Sequence, residues 1–302
     1  MNNTNQIFDR KTLRRRRDRA APGFAKFDFL QRRVAEMIAD CLLDVRRVFP
    51  LALDLGCRTG QMADTLPKHS GIEILVQSDL SESMTREAGG LVVAADEEAL
   101  PFAEQSFDLV ISCLALHWIN DLPGTLIQIR RCLKPDGLFL GALLGGATLS
   151  GLRSAFLDAE TEMEGGASPR LSPFADVRDG GDLLLRAGFA LPVSNSESLD
   201  VSYPSPAALL ADLRGMGETN AVRNRRRTFM RKSTLVRALE LYQERHSEGA
   251  GDGRVNSTFE VLFLTGWAPG PGQPQALKPG SGTTPLAEVL RDQGSDFSDG
   301  RD

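Results

Sequence analysis

An apolar segment that runs straight into a glycine-containing turn, residues 51–60, constrains the fold of this chain more than any other feature. Four further short apolar runs follow it, at residues 72–76, 91–94, 107–114 and 138–144. Segments with helical periodicity lie between these runs, near residues 60–68, 81–88 and 121–133. Strands that alternate with helices need crossover connections, which join parallel strands. The alternation therefore predicts an α/β fold with a doubly wound, mostly parallel sheet.

The segments on either side of this core differ from it in the periodicity of their apolar residues. Before it, residues 27–45 repeat apolar side chains at three- and four-residue steps, which predicts an amphipathic helix. After it, helical periodicity dominates at residues 148–164, 173–187, 206–216 and 233–246. An apolar run at residues 259–267 predicts a closing strand. This part of the chain is therefore expected to form a helical cap and the remaining edge of the sheet.

The N-terminal arm is strongly basic, since residues 9–19 hold seven basic side chains against two acidic ones. One interpretation is a solvated arm or helix face. The other is a lid or a partner-docking arm, because Ile7 and Phe8 offer an apolar anchor. Beyond residue 268 there are too few large apolar side chains to offset chain entropy, which predicts a disordered tail. The predicted divisions are an arm (1–24), a core (25–147), a cap with closing sheet elements (148–267) and a tail (268–302).

Composition excludes several function classes. Of the 302 residues, 41% are hydrophobic and 25% charged, as in ordinary globular proteins, and the net charge of -5 argues against general affinity for nucleic acid. The four cysteines are far apart, so we expect neither a metal site nor a disulfide framework. The longest apolar stretches reach about half of the roughly 20 residues that a membrane span needs, so any membrane contact would be peripheral.

The strongest chemical signal lies at the end of the first predicted strand, where Asp54, Gly56, Cys57 and Gly60 occur within seven residues. Glycines let the backbone approach a ligand closely, and an acidic side chain orients polar ligand atoms. We therefore expect a small-molecule site at the carboxyl end of this strand.

Two further carboxylates follow later predicted strands. Asp79 lies about one β-α-β unit after Gly60, where a carboxylate can accept both hydroxyl protons of a ribose. The alternative is a helix N-cap at Asp79 or Ser81. Asp96 and Glu97 follow the third strand and could meet the polar edge of an adenine ring, although a plain acidic loop is the alternative.

Together these residues resemble the class I S-adenosylmethionine-dependent methyltransferases, with later matches at residues 107–110, 116–118 and 133–137. The resemblance implies a seven-stranded, Rossmann-like sheet and S-adenosylmethionine as cofactor. It places Asp54 to Gly60, with Cys57, at the methionine portion, Asp79 on the ribose hydroxyls and Asp96 near the adenine. It adds Leu80, Glu97 and Leu114 to the cofactor-binding residues. Arg58 departs from the family pattern, which has a glycine at that position.

A narrower resemblance extends to about residue 267. The matching segments are residues 7–10, 26–28, 49–56, 95–98, 116–123, 164–169, 172–174 and 212–220. They look like the mitochondrial complex I assembly factor 5 family and its bacterial relatives, and fewer of them match the biotin-pathway malonyl-carrier-protein methyltransferase. The resemblance implies a protein partner, either a complex I subunit or an acyl carrier protein. Because the motif begins at Ile7, it also suggests a bacterial, cytoplasmic member without a transit peptide.

Three functions stay open. Methyl transfer to a protein-borne substrate needs mainly in-line positioning, and His117 is the candidate general base unless it is a structural residue packed beside Trp118. Arginine hydroxylation during complex I assembly is implied by the resemblance alone, since the three histidines form no His-x-Asp pair for an iron site. A noncatalytic assembly chaperone with a degraded pocket is the third possibility, because of Arg58.

A second basic run occurs late in the chain. Its members are Arg223, Arg225, Arg226, Arg227, Arg231 and Lys232. It is interpreted either as a solvated helix face or as a docking site for an acidic protein partner.

Overall fold

The computed structural model describes residues 6–166, 168–169, 177–247 and 253–274. Seven strands lie within these residues: β1 (Phe49–Leu55), β2 (Ile72–Asp79), β3 (Leu91–Ala94), β4 (Phe107–Cys113), β5 (Leu133–Leu144), β6 (Ala190–Tyr203) and β7 (Val255–Trp267). The α-helices of the same residues are α1 (Arg10–Ala20), α2 (Phe29–Leu43), α3 (Gln61–Thr65), α4 (Glu82–Ala88), α5 (Leu122–Cys132), α6 (Ser150–Glu164), α7 (Val177–Ala187), α8 (Pro206–Gly215) and α9 (Lys232–His246). All of these elements belong to one compact unit.

The seven strands form one sheet in the order β3-β2-β1-β4-β5-β7-β6. Strands β1 to β5 are parallel to one another, and β7 runs antiparallel between β5 and β6. The predicted α/β class and the doubly wound, mostly parallel sheet are confirmed. The parallel strands therefore end at one edge of the sheet, which is the edge that carries the ligand crevice in folds of this type.

Apolar side chains cover both faces of the sheet. Adjacent residues of a strand point to opposite faces, so Ala52 joins an apolar cluster with α2, α6 and α9, whereas Leu53 joins a second cluster with α5 and α7. This two-sided burial explains why the central strands read as continuous apolar runs. The helices of the predicted cap pack on the same sheet as those of the core.

Strand β6 is absent from the predicted strands. It lies at the edge of the sheet, and most of its side chains are polar and partly or fully exposed. It is held by a long antiparallel pairing with β7, which itself begins at Val255, four residues before the predicted start. An edge strand with polar side chains on both faces lacks the apolar signal that identified the other strands.

The N-terminal arm is a helix that packs on one side, so it is not a solvated arm, but Lys11, Arg14, Arg15 and Arg19 form the solvated helix face of that interpretation. Asp9 caps α1 by accepting a hydrogen bond from the Thr12 amide at 3.0 Å. Leu13 and Arg17 of this helix have no exposed surface. Phe8 pairs in an antiparallel bridge with Val222, which ties the arm to the segment after α8. The lid and the partner-docking arm both stay predictions, and the anchoring of the arm through Phe8 agrees with either.

The second basic run is not a helix face, which corrects that prediction. Helix α8 ends at Gly215, Gly217 turns the chain with a φ of +76°, and α9 begins only at Lys232. The Arg223 amide donates to the Ile7 carbonyl instead of to a helix, and residues 223–231 contain turns and bends, so that only Lys232 of the run is helical.

Some expectations concern residues outside the described part of the chain. These are the first residues of the helix predicted at 173–187 and most of the tail predicted from residue 268. Within the described residues, none of the helices combines the length and the apolar character that a membrane crossing requires.

Candidate functional site

Asp54 lies next to the last residue of β1, at the edge where the parallel strands end. Its side chain is completely buried, and neither carboxylate oxygen has a hydrogen-bond partner among the described residues. Burial, with the nearby charge of Asp79, raises the pKa of Asp54 to about 8. A buried carboxyl without partners is costly, so this position calls for a donor or a cation from outside the chain.

The turn after β1 requires its two glycines. Gly56 has a φ of +82°, and a Cβ at this position would clash with the Cβ of Ala115. Gly60 has a φ of +93° and begins α3 in the left-handed conformation. Cys57 between them is buried, and burial raises the pKa of its thiol well above the usual value. The predicted glycine turn is present, and its cysteine is not activated.

Asp79 ends β2 and is completely buried. Its Oδ1 accepts hydrogen bonds from the Ser81 amide at 2.8 Å and from Arg17 Nη1 at 3.1 Å, and its Oδ2 accepts one from the Arg58 amide at 3.3 Å. Ser81 is the N-cap of α4, because its hydroxyl accepts from the Met84 amide. Ser81, and not Asp79, is therefore the helix cap that was the alternative to ribose binding.

The acidic residues after β3 separate into a buried and a partly exposed member. Glu97 has no exposed surface and accepts a hydrogen bond from Arg17 at 2.7 Å, whereas the Asp96 side chain is 37% exposed. Arg10 forms ion pairs with both carboxylates. Burial alone would raise the pKa of Glu97, but the charges of Arg17 and Arg10 outweigh it and hold the pKa at about 2. The ion pairs with Arg17 and Arg10 distinguish this segment from a plain, solvated acidic loop.

Helix α1 supplies the cations that close this site. Arg10, Leu13 and Arg17 are spaced three and four residues apart, so they lie on one face of the helix. This face covers the ends of β2 and β3, and its two arginines form ion pairs with three carboxylates, Asp79, Asp96 and Glu97. These contacts are missing from the sequence interpretation, although the spacing of basic and apolar residues in the arm is a signal that could have shown them.

Arg58, the departure from the family pattern, has a structural role. Its backbone is left-handed, with a φ of +54°, and its side chain is buried. Nη2 donates to the Leu114 carbonyl at 3.1 Å and to Glu218 at 2.6 Å, while Nη1 has no partner among the described residues. Burial lowers the pKa of Arg58, as does the neighbouring Arg17. The guanidinium thus joins the glycine turn to the segment after α8.

Glu218 is the centre of a buried polar cluster that sequence reasoning missed. In addition to the hydrogen bond from Arg58, Glu218 accepts one from Trp118 Nε1 at 2.5 Å and lies 3.1 Å from His117 Nε2. Burial would raise the pKa of Glu218, but Arg58 and His117 hold it at about 2. Its only sequence signal was its place in the family-like segment 212–220.

His117 lies beside the candidate cofactor residues, in the 3-10 turn Leu116–Trp118 after β4. Burial lowers its pKa, so the ring is neutral near pH 7, and a proton on Nε2 would be donated to Glu218. Nδ1 then accepts from the Leu144 amide at 3.5 Å. The ring is also tilted against Trp118, with centroids 5.6 Å apart. His117 is therefore held in place by several contacts, and its role as a base stays a prediction.

The two predicted leucines differ in position. Leu114, just after β4, is buried with a φ of +50°, and its carbonyl accepts from Arg58. Leu80 is partly buried and packs against the cluster of Phe8 and Trp118. Within the described residues, no group of three or more His, Cys, Asp or Glu side chains is placed to hold a metal ion.

An apolar cavity of about 180 Å³ lies on the cap side of this cluster. Its lining residues include Leu30, Trp118, Leu144, Leu152, Phe156, Leu213, Met216, Glu218, Asn220 and Met230. A smaller cavity of about 20 Å³ shares Leu30, Leu144, Met216 and Glu218 with it and adds Arg58, Leu114 and His117. The apolar cavity therefore leads to the end of the strand-edge site, with Glu218 where the two meet.

Comparison with known proteins gives consistent matches. Residues 53–141 match the family described as "Methyltransferase domain". The "Arginine-hydroxylase NDUFAF5, mitochondrial" of Danio rerio is 42% identical over 94% of this chain and 90% of the relative, and the human protein of the same name is 43% identical over 95% and 84%. A "Malonyl-[acyl-carrier protein] O-methyltransferase" of Gallionella capsiferriformans is 35% identical over 88% of this chain and 93% of the relative.

Solved structures agree with the fold. The YcgJ protein of Bacillus subtilis covers 77% of this chain and 97% of its own length, with a TM-score of 0.54 and 13% identity. A phosphoethanolamine N-methyltransferase 2 of Haemonchus contortus covers 85% of this chain and 60% of its own length, with a TM-score of 0.52 and 16% identity. At these identities the likeness concerns the fold alone.

Proposed function

We infer a function from the family of this chain, which belongs to the class I S-adenosylmethionine-dependent methyltransferase superfamily and, within it, to the family of the NDUFAF5 proteins and the malonyl-[acyl-carrier protein] O-methyltransferases. The proposed activity is the transfer of a methyl group to a protein-borne substrate. The observation that carries the proposal is the set of buried carboxylates at three successive strand ends, above all the unpartnered Asp54. Its relatives include bacterial enzymes, and the bacterial cytoplasm is the compartment that the proposal assumes.

The residues at this edge suit S-adenosylmethionine. The cofactor carries an ammonium group that would satisfy the orphaned carboxyl of Asp54, beside a glycine turn that admits a close ligand. Asp79 would accept from the ribose hydroxyls, and Glu97 with Asp96 would lie near the adenine. For this to happen, Arg17 has to share Asp79 or leave it, because it donates to that carboxylate in this structure.

The cofactor would supply an activated methyl group on its sulfonium, so the chain mainly has to bind, orient and exclude water. Helix α1 covers the carboxylates and excludes solvent from them. Arg58 and Glu218 hold the cap segment against the glycine turn. The apolar cavity would receive the acceptor, and His117 would take up a proton only if the acceptor loses one.

Arginine hydroxylation is a second candidate, favoured by one observation. The apolar cavity ends at Glu218, whose carboxylate is shared with Arg58, Trp118 and His117; a negative group at that end suits a cationic acceptor such as a guanidinium better than a carboxylate acceptor. The NDUFAF5 relatives carry this activity in their names. The reaction would also need an oxidant, for which the described residues offer no metal cluster.

The third candidate, a noncatalytic assembly chaperone, depended on Arg58 as a sign of a degraded pocket. The Arg58 side chain donates hydrogen bonds to Glu218 and to the Leu114 carbonyl, and these contacts explain its presence without a degraded pocket. The chaperone hypothesis then depends on whether the cofactor binds at all.

Calorimetric titration with S-adenosylmethionine tests the proposal. We expect micromolar binding by the native protein, and a loss of at least about tenfold in Asp79→Asn, which corresponds to about 1.4 kcal/mol. Asp64→Asn is the matched control, because the Asp64 side chain is 63% exposed on α3. No binding by the native protein would contradict methyl transfer and favour the chaperone. If the cofactor binds, mass spectrometry of a modified partner would show a methyl group or, for the second candidate, an oxygen atom.

A further inference from the structure

Two basic segments that are far apart in the chain form one groove on the outer side of α1. The antiparallel bridge of Phe8 with Val222, and the hydrogen bond from the Arg223 amide to the Ile7 carbonyl, bring them together. The groove has a volume of about 550 Å³. Its lining residues are Asp9, Lys11, Thr12, Arg15, Arg16, Asn220, Arg225, Arg226 and Arg227.

The positive charge of this groove is only partly compensated. Of its six basic residues, Arg225 pairs with Asp9 at 3.4 Å and Arg226 pairs with Glu164. Lys11, Arg15 and Arg227 are exposed and form no ion pair with the described residues. Burial, together with the charges of Arg225 in the groove and of Arg19, lowers the pKa of Arg16 to about 10. A local excess of cations stands out on a chain whose net charge is -5.

The groove and the apolar cavity have a wall in common. Asn220 lines both of them, and the segment after it passes from Arg227 in the groove to Met230 in the cavity wall. Between these two residues lies Phe229, whose side chain is fully exposed. An exposed aromatic ring beside a charged groove is typical of protein-binding surfaces, where such rings act as anchors.

We propose that this groove is the docking surface for an acidic segment of a protein partner, which brings the partner's reactive group to the cavity past Asn220. Charge complementarity selects an acidic segment, and Phe229 favours one that also carries apolar side chains. A nucleic acid is less suited, because the chain as a whole is acidic and would repel a long polyanion. The inference rests on the proposed function only in treating this partner as the methyl acceptor.

The test uses fluorescence anisotropy with the full chain and a labelled peptide in which glutamates alternate with leucines. We expect binding that weakens as salt rises, and no binding of the matched glutamine peptide. The double variant Arg15→Glu with Arg227→Glu should bind the glutamate peptide at least about tenfold more weakly, equivalent to about 1.4 kcal/mol. Phe229→Ser should also weaken binding, and it removes no buried contact, so the fold stays intact.

The control is Arg46→Glu with Arg131→Glu, which makes the same change in net charge. Both residues are exposed and lie near the amino ends of β1 and β5, away from the ligand edge. Equal weakening by both double variants, equal affinity for the glutamine peptide, tighter binding of single-stranded DNA, or no peptide binding at low salt would each overturn the proposal. S-adenosylmethionine affinity is measured on the same samples. Peptide binding without cofactor binding would reject the proposed function and leave the docking surface standing.

Discussion

Arg17 Nη1 lies 3.1 Å from Asp79 Oδ1, and both side chains are completely buried. The same nitrogen lies 2.7 Å from Glu97, which is buried too. A cation from the N-terminal helix therefore sits between the carboxylate proposed for the ribose and the one proposed near the adenine. Helix α1 and the candidate cofactor site are therefore linked by buried ion pairs.

Arg17→Met should destabilise the protein at neutral pH. It leaves two buried carboxylates without their shared cation, and breaking a buried ion pair in this way costs about 3 kcal/mol or more. Urea denaturation at pH 7 measures the free energy of unfolding. Arg19→Met on the exposed side of α1 is the control and should change it by less than about 0.5 kcal/mol. Equal effects of the two variants would show that the pair contributes nothing.

Arg58 and Glu218 should be energetically coupled. Arg58 Nη2 lies 2.6 Å from Glu218 Oε1 with little exposure to solvent, so removing either side chain leaves the charge of the other without its partner. We expect Arg58→Met and Glu218→Gln each to lower the unfolding free energy by about 3 kcal/mol, and the double variant to lose about 1–3 kcal/mol less than the sum. A double-mutant cycle by denaturant unfolding checks this. Additive effects would mean that Arg58 does not anchor the cap segment.

Acid should destabilise the protein through two glutamates. The folded-state pKa values of Glu97 and Glu218 are both about 2, below the ordinary glutamate value of 4.5, because neighbouring cations stabilise the charged carboxylates. Because these values are depressed, the stabilisation is present above about pH 5 and is lost as the pH falls towards 2, by roughly 3 kcal/mol for each group. Unfolding free energies between pH 7 and 2, compared between the native protein and Glu218→Gln, measure the contribution of Glu218, because the raised pKa of Asp54 changes stability in the opposite direction in both proteins. Glu218→Gln should flatten the profile, and an unchanged slope would contradict the assignment.

Cofactor binding should release a proton through Asp54. Its pKa of about 8 keeps the carboxyl mostly protonated at pH 7, and a bound ammonium group would favour the ionised form. In the cofactor-free protein the same raised pKa makes stability fall as the pH rises from about 4 to 8. Calorimetry with S-adenosylmethionine in buffers of different ionisation enthalpy detects the proton. Asp54→Asn should abolish the buffer dependence, and buffer-independent heat in the native protein would contradict the prediction.

Phe8→Ala should weaken the packing of helix α1 against the rest of the protein. Phe8 packs edge to face on Trp118 with ring centroids 5.3 Å apart, and its loss leaves a cavity under the arm. Truncating a buried phenylalanine costs about 3 kcal/mol, which would speed local opening roughly a hundredfold.

Trypsin cleavage within α1, followed by mass spectrometry, measures this opening, because the helix is rich in arginine. Ile7→Ala is the neighbouring control, since Ile7 is exposed. Bound S-adenosylmethionine should slow the cleavage. Equal cleavage rates in the two variants would show that Phe8 does not hold the helix down.

Much of the site's location was predictable from local pattern. Asp54 and Asp79 each follow an apolar run, and the ends of parallel strands share one edge, so their proximity follows from the alternation alone. Gly56 marked a turn that no side chain could occupy. By contrast, β6 escaped prediction because edge burial depends on a partner strand, β7, that lies more than fifty residues further along the chain.

The sequence by itself determined the fold class, the central strands and the three strand-end carboxylates, because these depend on periodicity and chain order. Only the tertiary structure decided what the charges do. Arg17 reaches Glu97 across 80 residues of sequence, and Arg58 reaches Glu218 across 160. The same structure packs the basic arm over the strand ends and brings two basic runs together in one groove. Such pairings depend on distance in space and on burial, and neither quantity is encoded in the local spacing of residues.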